Sequence, residues 1–235
     1  MMNRKMVQCF WFSFFAMVCV FFGNAQSQPQ TPLFCIVGTY IDGLDEKPCY
    51  WVNGTKRENG NAPYEKVYRR GPDSATEDGV TYQITRSGYS AFGQSVNLSG
   101  ETSGIAVENG KVYVSGRNDY KPCYWVDGVI KYLPVPSNAR GSTIGIFVQN
   151  GNIAVMGYYS IDNKNTYCYW INGVIKELPS DSFNVTSIVL LNGKVYVTGM
   201  YKSGMIEKGC YWIDGIKQEL PGAPRRTSGI AISFK

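Results

Sequence analysis

Cys123-Tyr124-Trp125-Val126-Asp127-Gly128 decides the fold, because it recurs. The copies are Cys49-Tyr50-Trp51-Val52-Asn53-Gly54, Cys168-Tyr169-Trp170-Ile171-Asn172-Gly173 and Cys210-Tyr211-Trp212-Ile213-Asp214-Gly215. Tyr, Trp, Val and Ile suit a pleated, packed surface. Asn-Gly and Asp-Gly supply the two positive φ values of a type I′ turn. Each copy therefore reads as a strand entering a tight hairpin. Trp11 aside, every Trp of the chain sits in this motif, which makes the motif structural.

Working outward, Tyr124, Tyr169 and Tyr211 are spaced by 45 and 42 residues. Upstream of each lies a small-residue strand: Gly104-Ile105-Ala106-Val107, Gly145-Ile146-Phe147-Val148 and Ser187-Ile188-Val189-Leu190. An Asn-Gly turn follows at Asn109, Asn150 and Asn192, then a second strand ending at Gly116, Gly157 or Gly199. After the Cys-Tyr-Trp hairpin a short strand closes the unit at Leu133-Pro134, Leu178-Pro179 or Leu220-Pro221. Four short strands in about 40 residues make the blade of a β-propeller. The expected fold is all-β, a single small propeller of four-stranded blades. Cys and Trp alternate with Tyr and the aliphatic residue, so the two pairs face opposite neighbouring blades.

Phe34-Cys35-Ile36-Val37-Gly38 matches a second strand, whereas Gly229 to Lys235 matches a first strand and stops there. The C-terminal strand is thus expected to complete the N-terminal blade and close the ring, which removes open edges. The blade number rests on residues 59–103. Lys66-Val67-Tyr68-Arg69-Arg70-Gly71 resembles a second strand, and Thr81-Tyr82-Gln83-Ile84 would then take the Cys-Tyr-Trp place. Five blades are expected, with repeats at about 33–58, 59–103 (degenerate), 104–144, 145–186 and 187–235. The alternative is four blades with an insertion from about Asn59 to Gly100.

Residues 1–25 read as a signal peptide. Arg4 and Lys5 precede an apolar run from Phe10 to Phe22, and Gly23-Asn24-Ala25 offers small residues for cleavage. An uncleaved anchor is the rival reading, but the run is short of the roughly 20 residues a span takes. Residues 26–32 read as a disordered lead-in, and 33–235 as the propeller domain. Cleavage would leave no membrane span. It would also lower the net charge from +5 to +3, too mild for nucleic acid.

The chain has no His, which excludes Ser-His-Asp and Cys-His catalysis and His-ligated zinc. Cys35, Cys49, Cys123, Cys168 and Cys210 read as small buried hydrophobes. Four of them hold equivalent places in different blades, so Cys35 with Cys49 is the one pair that could bridge. Asn53, Asn97 and Asn184 begin N-glycosylation sequons, of which Asn53 is needed in a tight turn, and the Asp-containing turns at Asp42–Asp45 and Asp162-Asn163 read as turn chemistry. Neither turn has a full calcium-ligand series. No cofactor is expected.

The unit resembles the tyrosine-tryptophan-x-asparagine-glycine repeats of exported bacterial proteins, in which that motif alternates with Val-Tyr-Val-x-Gly. Here the second motif is Val112-Tyr113-Val114-Ser115-Gly116 and Val195-Tyr196-Val197-Thr198-Gly199. In plan it is also similar to kelch and WD-repeat propellers. The resemblance implies a propeller in the envelope or outside the cell: periplasmic, cell-surface or extracellular. It carries over no functional residue.

Function is expected on the loops between second and third strands, because function gathers on loops held by a rigid scaffold. The candidate ligand-binding residues there are Tyr40, Asp42, Asp45, Arg117, Asn118, Asp119, Tyr120, Tyr158, Tyr159, Asp162, Asn163, Tyr201 and Lys202, with Arg140, Arg225 and Arg226 on the same face. The expected function is an exported, monomeric, non-catalytic binding module for a protein or glycan ligand. A lectin-like propeller is the alternative. A glycan-cleaving enzyme is disfavoured, because Asp45, Glu46, Asp119, Asp162 and Asp181 form no recognisable acid pair.

Overall fold

The four Cys-Tyr-Trp stretches are strands in the computed structural model, which describes residues 33–42, 45–52, 54–57, 68–69, 73–222 and 226–233. The signal-peptide and lead-in readings, with Arg225, lie outside the described residues. The strands are β1 (Leu33–Asp42), β2 (Asp45–Val52), β3 (Thr55–Arg57), β4 (Tyr68–Arg69), β5 (Ser74–Glu77), β6 (Val80–Thr85) and β7 (Gly88–Ala91). They continue with β8 (Gln94–Asn97), β9 (Glu101–Glu108), β10 (Lys111–Asn118), β11 (Lys121–Val126), β12 (Val129–Tyr132), β13 (Arg140–Gln149) and β14 (Asn152–Ile161). The rest are β15 (Lys164–Ile171), β16 (Val174–Glu177), β17 (Ser182–Leu191), β18 (Lys194–Ser203), β19 (Ile206–Ile213), β20 (Ile216–Glu219) and β21 (Arg226–Ser233). No helix occurs among the described residues.

The strands form five antiparallel sheets. Sheet 1 runs β3-β2-β1-β21-β4, and sheet 2 holds β5 to β8. Sheets 3, 4 and 5 hold β9 to β12, β13 to β16 and β17 to β20, each in chain order across the sheet. The C-terminal β21 does pair with β1, from Leu33 opposite Ser233 to Thr39 opposite Arg226. Sheets pack in the order 2, 3, 4, 5, 1. A packed interface between sheets 1 and 2, which a closed ring requires, is not formed among the described residues.

Each interface is built the same way. Between sheets 3 and 4, Tyr113, Tyr124 and Leu133 of one meet Val155, Cys168 and Trp170 of the other. Between sheets 5 and 1, Tyr196, Tyr211 and Leu220 meet Ile36, Cys49 and Trp51. Tyr169 and Leu178 meet Cys210 and Trp212 between sheets 4 and 5. The alternation of side chains along each strand thus sends Tyr one way and Cys and Trp the other. The Leu-Pro ending also has a role. Its Leu is buried, and in two of the three units the Pro carbonyl accepts the indole N–H of the next sheet's Trp: Trp170 Nε1 donates to Pro134 O at 2.8 Å and Trp51 Nε1 to Pro221 O at 3.0 Å, while the Trp212 indole N–H is buried without a partner.

The Gly that ends each second strand has a steric cause. First strands carry a bulge beside it, as between Ser115 and Gly116. A Cβ at Gly116 would collide with the Glu101 carbonyl oxygen and lie 2.8 Å from the Trp125 ring. The extra residue of the sheet 3 bulge, Ser103, contributes a hydroxyl that meets one from each of two sheets. Ser103 Oγ lies 3.1 Å from Ser115 Oγ and 2.7 Å from Thr143 Oγ1, and Thr143 Oγ1 donates to Gly116 O at 3.1 Å.

The degenerate unit is placed differently from the sequence expectation. Tyr68-Arg69 does not start it: that pair hydrogen-bonds to β21 in sheet 1. Tyr82 lies on the second strand of sheet 2, and Gly88-Tyr89-Ser90-Ala91 stands where Cys-Tyr-Trp would. The register shows it: Leu98 N donates to Ser87 O as Leu133 N donates to Pro122 O. Leu98 replaces the Leu of Leu-Pro and packs in the core with Cys123 and Trp125. Sheet 2 has lost its own Cys and Trp, and β8 is exposed throughout.

All five cysteines of the sheets are free and buried. Cys49 pairs with Gly38, three rungs from Cys35, so the two thiols point to opposite faces and the one conceivable bridge is absent. Burial pushes the Cys35 and Cys123 thiols up to about 12. At neutral pH almost no thiolate exists to react. A chain starting at residue 26 is expected to leave a thiol reagent unreacted at pH 8 and to titrate five thiols in guanidinium. Rapid labelling of a native thiol would contradict the packing.

Candidate functional site

The sheets have two dissimilar edges. One carries the Asn-Gly and Asp-Gly turns. Val112 N donates to Asp127 Oδ1, Ile153 N to Asn172 Oδ1 and Val195 N to Asp214 Oδ1, each at 2.9 Å. Each of these side chains therefore ties its own turn to the start of the second strand. Neighbouring sheets are tied as well. The Glu77 carboxylate accepts from Asn109 N and Gly110 N at 2.8 and 2.7 Å, and Glu108 accepts from Asn150 N and Gly151 N at 2.6 and 2.8 Å. This edge is uniform, and its side chains are engaged in holding turns.

The opposite edge carries the connections between second and third strands. The expected loops there are tight hairpins. β10 and β11 are joined by Asp119-Tyr120 alone, and β14 and β15 by Asp162-Asn163 alone. All four residues have positive φ, between 49° and 61°. Gly204-Met205 joins β18 to β19. The strands of sheets 4 and 5 project two residue pairs further than those of sheet 3. The segments that lead into the next sheet meet this edge too, since Gly141 N donates to Tyr120 O at 2.7 Å.

Of the candidate residues, Tyr159 and Tyr201 are corrected. Both are buried, at 7% and 4% exposure. The Tyr159 hydroxyl donates to Glu177 Oε1 at 2.6 Å and that of Tyr201 to Glu219 Oε1 at 2.8 Å. The hydrogen bond to Glu177, then burial, raises the Tyr159 pKa, and burial with the Glu219 bond pushes Tyr201 up to about 12. These tyrosines lock strand 2 to strand 4 of their own sheets. Sheet 3 makes the same link with roles exchanged: Asn118 Nδ2 donates to the Tyr132 hydroxyl at 2.9 Å. The signal was present in the sequence. Tyr sits two residues after the second-strand Gly, and Glu sits nine after the motif Cys. Tyr40 and Glu58 fit the same spacing.

Asp119, Tyr120, Asp162 and Asn163 are exposed on their turns, and Lys202 is exposed with its ammonium 4.7 Å from the Phe183 ring centroid. Tyr158 is half-buried and pairs with Tyr167, their ring centroids 6.0 Å apart. Tyr40, Asp42 and Asp45 lie in the hairpin of β1 and β2, opposite Lys47, Asp45 and Asp42 in register; their side chains lie outside the described set, as does that of Arg226. Arg117 is half-buried. Its Nη2 and Nε donate to Glu101 Oε2 at 2.8 and 3.2 Å. That bond lowers the Glu101 pKa and raises that of Arg117. Glu101 was not singled out from the sequence, because its strand pairing with Arg117 depends on the bulge.

The structure thus brings Arg117, Tyr120 and Arg140 together. The guanidinium carbons lie 5.8 Å (Arg117) and 5.0 Å (Arg140) from the Tyr120 ring centroid. A separate cluster on sheet 5 holds Lys217, 2.5 Å from Asp181 Oδ2 and 3.9 Å from the Tyr201 ring centroid. Among the described residues no three His, Cys, Asp or Glu side chains converge to hold a metal, and no helix is long and apolar enough to cross a membrane. In comparisons with known proteins, no family model, no curated protein and no solved structure matches the chain.

Proposed function

We propose that this chain is a five-bladed β-propeller, closed by sheet 1 against sheet 2, that works outside the cytoplasm as a non-catalytic binding module. Export rests on residues 1–25. The likeness to exported bacterial Tyr-Trp-x-Asn-Gly repeat proteins points the same way. The binding face is the hairpin edge.

The difference between the two edges carries this reading. One edge repeats the same turn and spends its side chains on holding it. The other varies from sheet to sheet: Tyr120 is 60% exposed, Met205 97% and Ile206 62% at its tips. Exposed aromatic and apolar groups on rigid hairpins are what a recognition surface needs. A glycan ligand is the second reading, supported by Tyr120, an exposed ring on a fixed backbone. Catalysis is not supported. Asp119 and Asp162 stand exposed on separate turns and Asp181 is paired with Lys217.

The test is a glycan array probed with the chain from residue 26, run for the parent, Tyr120→Ala and Lys194→Ala. Binding is expected to fall in Tyr120→Ala and to persist in Lys194→Ala, with stability of both within about 1 kcal/mol of the parent. Loss in Lys194→Ala with retention in Tyr120→Ala would place the function on the turn edge. An array without hits would move the reading to a protein ligand.

A further inference from the structure

Tyr120 occupies a position that disfavours it. It is the second residue of a two-residue turn at φ 60°, where the other turns with a positive φ at that place carry Gly at 54, 79, 93, 110, 128, 151, 173, 193 and 215, and Asn at 163. A bulky residue there is strained, and such strain persists where the surroundings over-determine it. Here the surroundings do so: the Tyr120 carbonyl is held by Gly141 N, and two guanidinium groups from different sheets approach its ring. Tyr120 is nonetheless 60% exposed.

The charges are unequal. Arg117 is paired with Glu101. Arg140 is exposed and has no carboxylate partner among the described residues; Tyr120 is the contact it makes. Asp119 and Lys121, both exposed, offset each other. One guanidinium is left over, held beside an exposed aromatic ring. A guanidinium presents a planar fork that fits a carboxylate, and an aromatic face suits the C–H face of a sugar ring.

We infer that Arg140 and Tyr120, with Arg117 behind them, form a subsite for an acidic oligosaccharide, a chain bearing uronate carboxylates. This deepens the reading of the hairpin edge as the binding face and rests on it. An extended acidic peptide fits less well. β10 and β11 are each paired on both sides, so the hairpin offers no free strand edge for a peptide to join.

The experiment is titration calorimetry on the chain from residue 26, with oligogalacturonate, a neutral malto-oligosaccharide and polyglutamate as probes. Oligogalacturonate is expected to bind, more weakly as salt rises. Arg140→Gln is expected to weaken it about tenfold, with Arg140→Lys between the two, because lysine keeps the charge and loses the fork. The melting temperature of Arg140→Gln should match the parent, since the side chain is exposed. No binding of oligogalacturonate, equal binding by Arg140→Gln, or equal or tighter binding of polyglutamate would overturn the assignment. Neutral sugar binding that is lost in Tyr120→Ala and unchanged in Arg140→Gln would leave the hairpin edge standing and remove the carboxylate subsite. Oligogalacturonate binding lost in Lys194→Ala but not in Tyr120→Ala or Arg140→Gln would remove both.

Discussion

Trp170→Ala is expected to destabilise the chain by about 3–5 kcal/mol, the range for emptying a large buried aromatic site. Trp170 is fully buried between sheets 3 and 4, against Tyr113, Tyr124 and Leu133. The substitution leaves a cavity and strips the Pro134 carbonyl of its donor. At roughly 2–4 °C per kcal/mol for a chain of this size, the melting temperature should fall by on the order of 10 °C. Phenylalanine separates the two effects. Trp170→Phe loses the hydrogen bond and keeps much of the volume, so it should cost more than Trp125→Phe, because the Trp125 indole N–H is buried with no partner. Equal melting of Trp170→Ala and the parent would mean that the inter-sheet cores do not hold the fold.

Deleting Gly229 to Lys235 is expected to be more severe still. It removes the β21 rungs from Leu33 opposite Ser233 to Val37 opposite Gly229. The edge of β1 is then a row of unpaired N–H and C=O groups, which templates association with other chains. β21 also covers sheet 5 through its contacts with β17, β18 and β19. Size-exclusion chromatography should find aggregate, and the soluble fraction should melt early. A truncated chain that elutes and melts like the parent would show that sheet 1 does not depend on its last strand.

Four of the five sheets were legible because Cys-Tyr-Trp names a strand, its turn and both of its faces at once. The partner of β1 was legible from the ends of the chain. Sheet 2 was misplaced for a physical reason. Without Trp it keeps only Leu98 and the spacing of its turns, and Lys66 to Gly71 imitates the second strand of a full unit. The hairpin edge was read as loops because Asp119-Tyr120 and Asp162-Asn163 are turns without glycine. Composition does not distinguish such a turn from a polar loop. Tyr159 and Tyr201 were read as exposed because the Glu that buries each hydroxyl lies 18 residues away, two strands across the sheet. The meeting of Arg140 with Tyr120 is a contact between sheets, which no local pattern encodes.

The proposed closure of the ring, sheet 1 against sheet 2, has a direct test. The first residue after the third-strand turn is Thr55 in sheet 1, Gln94 in sheet 2, Val129 in sheet 3 and Val174 in sheet 4, and each is exposed. Spin labels on a Val129→Cys, Val174→Cys pair measure the distance between adjacent sheets. A Gln94→Cys, Val174→Cys pair measures sheets two apart. The native thiols, being buried, leave these positions free for labelling. A closed five-bladed ring requires the Thr55→Cys, Gln94→Cys distance to match the adjacent-sheet value. A Thr55–Gln94 distance at or beyond the two-apart value would contradict closure and leave an open array of five sheets.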